Sequence, residues 1–296
     1  MNFRNSFHPY AMVSISGWAL AHIFSRLALQ YFSGVGLGFL RYFVASCVLI
    51  AVAVAYKMQP PCKKDIPWFA AAGAAGFFLY MLFYNKGQAM VTAATGSVVI
   101  ATVPVLTALM ASFIYREKLR PHQWAAIVIE FAGVAVLTLM QGAISVNSGL
   151  LWMFIAAILL ALYNLVQRRL IKTYTSLQTS AYSIFAGTVM LSIFAPIGFK
   201  EIIAAPPIQF LYLAVLGIFS SAIAYVSWAR ALSMAKKTSQ VSNYMFLTPF
   251  VVSILGIVIA GEVPDRATII GGSIILAGVF IFNFGGRLFA GAGAKS

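Results

Sequence analysis

Ten polar or aromatic side chains with ligand-binding chemistry lie inside long apolar stretches of this 296-residue chain. A ring with a polar tip, or an amide, needs a partner in such a stretch, so it usually faces protein or water. Rings that stack and amides that hydrogen-bond would together form an amphipathic pocket, which suits a zwitterion with an apolar side chain. The residues predicted to bind a small molecule are Trp18, His22, Tyr80, Tyr84, Tyr163, Asn164, Tyr225, Trp228, Asn243 and Tyr244.

The sequence carries no signature of catalysis, nucleotide binding or metal binding. The glycine-rich run at 34–38 lacks the Lys-Ser/Thr end of a P-loop, so it favours a tight turn and close packing. Three histidines and two cysteines lie far apart and offer no metal-ligand spacing. We therefore expect neither an enzyme nor a bound cofactor or metal.

The elements that would position these residues are transmembrane helices. Hydrophobic residues make up 61% of the chain and charged residues only 9%, whereas soluble proteins carry about 25% charged residues. Each apolar stretch has about 20 residues, enough for a helix to cross the hydrocarbon layer, and none shows the alternation of a barrel strand. The predicted spans are 10–30, 37–56, 67–85, 92–114, 122–141, 149–167, 178–198, 208–230, 241–261 and 267–286.

The chain has a net charge of +14, and the distribution of its basic residues indicates how these spans are oriented. Of the 20 Lys and Arg residues, 15 fall in alternate connections if the N-terminus is inside. This bias fits the positive-inside rule, with both termini cytoplasmic and the chain a multi-pass protein of the plasma (inner) membrane. The basic residues form no single patch, so we expect no nucleic-acid partner. Those that remain outside are Arg26, Arg41, Lys86, Lys200 and Arg266.

Three ionisable residues within the spans are further candidates for function. Glu130 is the one acid inside a span, where an acid is costly unless it is paired or protonated. It either couples transport to protons or packs between helices as a protonated or hydrogen-bonded group. The positions of Arg26 and Arg41 toward the outer ends of their helices favour extension to the membrane surface; the alternative is that one of them, Arg41, attracts a substrate carboxylate.

An internal repeat relates the two halves of the chain. The segment 104–136 matches 249–281 at a shift of 145: Pro104 meets Pro249, Glu117 meets Glu262, and an Ala-Gly-Val block recurs. We predict repeats at 1–146 and 147–296. Five spans each would invert the second copy, which is typical of alternating-access transporters. Glu117 and Glu262 each precede the last helix of a repeat, where a carboxylate can clamp the N-terminal N–H groups.

An ordered set of features runs along the chain: the two five-span repeats, the Pro…Glu…Ala-Gly-Val block in each half, Gly17-Trp18 in the first span and Leu40-Arg41 at the start of the second. In this set the chain resembles the EamA family of the drug/metabolite transporter superfamily. The resemblance implies an all-α membrane protein of ten helices in two inverted repeats. It also implies export of small metabolites, often amino acids, through a central cavity lined by spans 1, 3, 4, 6, 8 and 9. Within the superfamily, the resemblance favours the amino-acid exporters, including YddG-type exporters of aromatic amino acids. Ala19 departs from the family's usual Gly, and the second half lacks a counterpart of Arg41.

A secondary transporter of amino acids is the function that these patterns favour. Pro104 and Pro249 interrupt their spans and are predicted hinges, because each removes a helix hydrogen bond. Purines, nucleotide sugars or drugs are the alternative substrates. A membrane-embedded transferase, an assembly protein and a channel are weaker alternatives, since none needs an inverted repeat. The expected partners are a small-molecule substrate and the lipid bilayer, with no obligatory protein partner.

Overall fold

The computed structural model describes residues 6–114, 119–140, 148–234, 241 and 243–290, and within them all regular structure is helical. We number ten helical segments in chain order. They are α1 (His8–Ala28), α2 (Gly34–Ala55), α3 (Lys63–Gln88), α4 (Ala93–Ile114), α5 (Pro121–Met140), α6 (Ser148–Leu170), α7 (Ser176–Ile203), α8 (Pro207–Met234), α9 (Thr248–Ala260) and α10 (Arg266–Ala290).

Six of these helices are long and apolar enough to cross a membrane, judged on the described residues: α2, α3, α4, α6, α7 and α8. Shorter apolar helices follow at Thr248–Ala260 and Arg266–Phe282. The prediction of an all-helical membrane protein is therefore confirmed. Most helices begin and end within about five residues of the predicted span.

The ninth span differs from its prediction. We expected a helix from residue 241, but α9 begins at Thr248 and follows a 3₁₀ turn at Asn243–Leu247. Pro249 lies in the first turn of α9, where its missing N–H is tolerated, whereas its ring disfavours helical conformation in the residue before it. The proline therefore starts a helix here and does not bend the middle of one.

The same irregularities recur in corresponding helices of the two halves. A wide π-helical turn interrupts α3 at Ala74–Leu79 and α8 at Val215–Ile223. The α-helix of α4 breaks at 101–102 and resumes at Val103, one residue before Pro104. The third and fourth helices of each half are thus both irregular, and α7 also contains a 3₁₀ turn at Ser192–Phe194. Wide π-helical turns are frequent at functional sites.

Packing between the halves follows a reciprocal pattern. Helix α1 packs on α8 and α9, and α6 packs on the corresponding helices of the first half, α3 and α4. Helix α2 lies against α7, and α5 lies against α10. Gly76 in the wide turn of α3 allows this closeness, because a Cβ there would lie 2.5 Å from the Tyr163 ring.

The bundle has two distinguishable ends. At the Arg26 end, the last turns of α1 meet the end of α3: Arg26 Nη1 donates to the Ala89 carbonyl at 2.6 Å. At the opposite end, the His8 end, the start of α1 meets the turn before α9 through a hydrogen bond between His8 Nδ1 and the Tyr244 hydroxyl. These two ends define the sides on which the central cavity can open.

Candidate functional site

A central cavity lies between the two halves of the bundle. It contains about 740 Å³ of empty space, part of which is open to solvent. Helices α1, α3, α4, α6, α8 and α9 contribute to its wall, as the resemblance implied, and α2 adds one residue. The lining residues are Trp18, Ala21, His22, Arg41, Tyr80, Tyr84, Ser97, Ile100, Ala101, Leu160, Tyr163, Asn164, Tyr225, Trp228, Met245 and Thr248.

The cavity brings together all the residues predicted to bind a small molecule except Asn243 and Tyr244. The side chain of Asn243 lies outside the described part of the chain. Tyr244 is located instead at the His8 end, where its hydroxyl bonds His8 and its ring packs edge-on against Phe7. The prediction for Tyr244 assumed a regular helix from residue 241, and the 3₁₀ turn directs the ring elsewhere.

Aromatic rings form much of the cavity wall. The Trp18 ring centroid lies 4.9 Å from that of Trp228 and 5.5 Å from that of Tyr225. On α3 the Tyr80 and Tyr84 centroids are 5.3 Å apart. These tilted and edge-on contacts are the favoured arrangements of rings. They leave ring surface and hydroxyl groups on the cavity side, so the wall can contact an apolar group and hydrogen-bond a polar one.

His22 is held in one orientation by polar groups at the end of α3. The Gln88 amide nitrogen donates to the Val91 and Thr92 carbonyls at 3.5 and 3.3 Å, so its Oε1 faces His22 Nδ1 at 3.0 Å. Nδ1 therefore carries the proton of the neutral ring, and the Tyr84 hydroxyl lies 3.2 Å from the same atom. The other ring nitrogen, Nε2, is left as an acceptor for a ligand in the cavity.

Arg41 was not in the predicted binding set, although binding a substrate carboxylate was one of its two expected roles, and the structure places it in the cavity wall. It is only 4% exposed, so its side chain does not extend to the membrane surface. Its Nε donates to Ser221 Oγ in the wide turn of α8 at 2.8 Å. The one signal in the sequence was a basic residue inside an apolar span with no acid in the same span.

Both helix breaks lie at the cavity. Ile100 and Ala101 line it just before Pro104, and Met245 and Thr248 line it just before Pro249. Each proline lies in the first turn of the helical segment after the break, where it cannot donate a hydrogen bond back across the break. Ser97, Ala101 and Thr248 were not in the predicted binding set, because small side chains carry little signal within an apolar span.

We infer the position of the cavity mouth from the burial of the lining residues, which decreases toward the His8 end. Trp18, Asn164 and Met245 are half-buried lining residues. Asn164 donates through Nδ2 to Thr107 in the second half of α4 at 3.3 Å. His22, Tyr84 and the other lining residues toward the Arg26 end are buried. A small molecule would therefore reach the site from the His8 end in this conformation.

The Arg26 end is closed by contacts that cross between the halves. Arg26 Nε lies 3.2 Å from Glu262 Oε1, and Glu262 Oε2 accepts from Ala93 N, the first residue of α4, at 3.0 Å. We expected Glu262 to clamp the start of α10. It clamps the start of α4 instead, because Asp265 already caps α10 by accepting from Thr268 N at 2.7 Å. Glu117, the second predicted clamp, lies outside the described residues.

Glu130 is separate from the central cavity. It is 3% exposed and borders a smaller void with Thr102, Phe131 and Phe154. Its Oε1 has no hydrogen-bond partner in the part of the chain that the structure describes. Helix α5, which carries it, packs on α10, and a Cβ at Gly278 would lie 2.6 Å from the Glu130 Cγ atom. The described residues also contain no cluster of three His, Cys, Asp or Glu side chains that could hold a metal.

Comparison with known proteins agrees with a transporter. The family model described as EamA-like transporter family matches residues 7–139 and again residues 147–284. A probable terminal-alkyne amino-acid exporter of Streptantibioticus cattleyicolor is 29% identical over 272 residues, covering 92% of this chain and 91% of its own. An S-adenosylmethionine uptake transporter of Rickettsia prowazekii is 26% identical over 238 residues, covering 80% and 79%.

The fold also matches a solved crystal structure. The TM-score is 0.62 at 20% identity, with 94% of this chain and 98% of the other covered. At this identity the likeness supports the fold alone. The family model, by contrast, covers nearly the whole sequence in two consecutive matches, and the relatives above are named as transporters. The chain therefore belongs to the EamA-like transporter family of the drug/metabolite transporter superfamily.

Proposed function

We propose that this protein is a secondary transporter that exports small metabolites, chiefly amino acids including aromatic ones, by alternating access through the central cavity. The observation that carries the proposal is the composition of the cavity wall, to which both halves contribute aromatic rings and a helix break. A site located between two repeats can be exposed to either side when one repeat moves against the other.

The halves of this carrier are two inverted five-helix repeats, 1–146 and 147–296. Three observations support the repeat: the family model matches each half, the wide turns recur in α3 and α8, and the contacts of α1 with α8 are reciprocated by those of α6 with α3. Because five is odd, the second repeat would be inverted relative to the first. Pro104 and Pro249, at equivalent breaks, are the proposed hinges.

Export is the direction that fits the proposed orientation. With both termini in the cytoplasm of a plasma-membrane protein, the His8 end is the cytoplasmic side, and the cavity mouth faces it. This conformation would load substrate from inside the cell. The name of the Streptantibioticus relative, an amino-acid exporter, supports the same direction and substrate class.

The aromatic wall favours amino acids over the alternative substrates. Rings from both halves of the chain can contact an apolar side chain, while His22 and Arg41 supply polar groups for the charged end. Purines, nucleotide sugars and drugs remain the alternative. Cationic drugs fit least, because no described acid lines the cavity and Arg41 does.

The test is counterflow in proteoliposomes. Vesicles preloaded with an unlabelled amino acid should take up the labelled form faster than empty vesicles, and a purine or choline should not replace it. A pH gradient applied in parallel reports proton coupling. Ala101→Trp, which fills the cavity, should abolish counterflow, and Ala71→Trp, on an exposed face of α3, should retain it. Absence of amino-acid counterflow, or equal activity of the two variants, would show the proposal to be wrong.

A further inference from the structure

Arg41 is a buried cation surrounded by tyrosine side chains, and it has few hydrogen bonds to the described protein. Its bond to Ser221 Oγ is the single hydrogen bond that the structure gives to the guanidinium among the described residues. The two Nη groups, each with two further N–H donors, are not sealed inside protein and therefore meet the cavity space. The Tyr42 ring centroid lies 5.5 Å from the guanidinium carbon.

No acid that the structure describes neutralises this charge. The acids of the described residues have other surroundings: Glu262 pairs with Arg26, Glu201 accepts from Ser33 N, Asp65 accepts from the Tyr174 hydroxyl, Asp265 caps α10, and Glu130 borders the separate void. A buried charge without a counter-ion costs several kcal/mol. Such a charge is retained where a ligand supplies the opposite charge.

Close packing keeps Arg41 at the cavity. A Cβ at Gly217 would lie 2.5 Å from Val44 Cγ1 and 3.0 Å from the Arg41 carbonyl oxygen, so only glycine lets α8 approach α2 this closely. Ser221, one turn further along α8, then holds the Nε atom. Ser221 thus holds the Nε edge of the guanidinium, and the edge formed by the two Nη groups stays available to a ligand.

We propose that Arg41 binds the carboxylate of the transported molecule, so that the cavity selects monocarboxylates with an apolar or aromatic group. The planar fork of two Nη groups matches two carboxylate oxygens. His22 Nε2, an acceptor in the same cavity, can receive a hydrogen bond from an α-ammonium group. One guanidinium balances one carboxylate, whereas a phosphate dianion calls for a second cation. This inference rests on the proposed transport function of the same cavity.

Binding to the purified protein tests the assignment without requiring transport. Thermal unfolding in detergent would be followed with L-phenylalanine, L-phenylalaninamide, phenethylamine and 3-phenylpropionate, and with the matching leucine series. We expect the two carboxylates to bind about tenfold or more tightly than the amide and the amine, because a charge-assisted hydrogen bond is lost without the carboxylate.

Variants then assign the preference to Arg41. Arg41→Gln should bind acid, amide and amine alike, and Arg41→Lys should retain part of the preference because it keeps the charge without the fork. Arg230→Gln, the same change at an exposed position of α8, should behave as the unmodified protein. If Arg41→Gln does not fold, Arg41→Lys and Ser221→Ala test the assignment instead. A partial loss of the preference for carboxylates in both variants would support it, and an unchanged preference would contradict it.

The outcomes separate this inference from the transport proposal. Carboxylate-dependent binding without counterflow would refute transport and leave the Arg41 assignment standing. Counterflow of phenethylamine as fast as that of L-phenylalanine would support transport and overturn the assignment. The assignment also fails if no carboxylate binds, or if Arg41→Gln keeps the preference for carboxylates.

Discussion

Arg26 and Glu262 form an ion pair across the halves of the bundle, with Arg26 Nε 3.2 Å from Glu262 Oε1. Both side chains also form hydrogen bonds with the backbone: Arg26 donates to the Ala89 carbonyl, and Glu262 accepts from Ala93 N. Three segments, the end of α1, the α3–α4 turn and the loop before α10, are thereby joined on one side of the cavity. We interpret the pair as a latch that stabilises the conformation with the Arg26 end closed.

Glu262→Gln should weaken this latch and expose the cavity at the Arg26 end. A partly exposed pair contributes about 1 kcal/mol, so the population open at that end should rise about fivefold. The measurement is the rate at which a membrane-impermeant thiol reagent, added on that side, modifies Ser97→Cys in a background lacking Cys47 and Cys62. Asp265→Asn, which alters the neighbouring cap of α10, is the control, and equal modification rates in the two variants would contradict the latch.

Pro249→Ala should lower the maximal rate of transport more than it changes substrate affinity. Proline restricts the backbone at the break before α9, and replacing it changes that restriction by about 1 kcal/mol, or about fivefold in rate. Initial rates of uptake over a range of substrate concentrations separate the two effects. Pro104→Ala should act in the same way.

The exposed Pro206, at the start of α8, supplies the control for both hinges. Pro206→Ala alters a proline at a helix start that is distant from the cavity lining, so its rate should match that of the unmodified protein. A change in affinity alone in Pro249→Ala, or an equal loss of rate in Pro206→Ala, would show that the breaks do not act as hinges.

His22→Leu should weaken binding of amino acids and spare the deaminated acids. The substitution removes Nε2, and a hydrogen bond to a charged group contributes about 1.5–3 kcal/mol, which is about tenfold or more in affinity. Competition of L-phenylalanine and 3-phenylpropionate against a labelled substrate measures the difference. Gln88→Leu should show a smaller effect of the same kind, since it removes only the group that orients the His22 ring. If His22→Leu weakened the binding of both competitors equally, the ammonium group would not bind at His22.

Glu130→Gln should leave counterflow and thermal stability close to those of the unmodified protein. No cation among the described residues pairs with Glu130, and an amide of the same shape fills the same space. Glu130→Ala should lower stability by about 1–3 kcal/mol through the cavity it creates. Counterflow and melting temperature measure both effects. If Glu130→Gln retains counterflow but loses its response to a pH gradient, Glu130 is the coupling residue and the packing role is wrong.

The positions of the helices could be predicted from the sequence because each depends on a local property, an apolar stretch bounded by charges. The binding aromatics could be predicted for a related reason, since a polar ring within an apolar span requires a partner. The start of α9 could not be predicted from the sequence, because a 3₁₀ turn and an α-helix can have the same apolar composition. Tyr244 was misplaced as a consequence.

Whether Arg41 reaches the membrane surface or the cavity depends on the other half of the chain, so the sequence left both roles open. Its partner Ser221 is 180 residues away, and Gly217 permits the approach of α8 only once the two halves have packed. Glu262 shows the same limitation. Its helix-capping chemistry was expected, but the helix that it caps, α4, belongs to the opposite half.

The wide turn at Ala74–Leu79 sets the rotational phase of α3. A π-helical turn accommodates an additional residue within an otherwise α-helical segment, and each α-helical residue rotates the chain by about 100°. Tyr80 and Tyr84 come directly after this turn, so they face the cavity at an angle that a regular helix would not give them. A regular α-helix through all six residues of this turn would rotate both rings by about 100°, toward another face of α3. The direction of the two rings thus depends partly on the backbone geometry of one turn, independently of which residues form it.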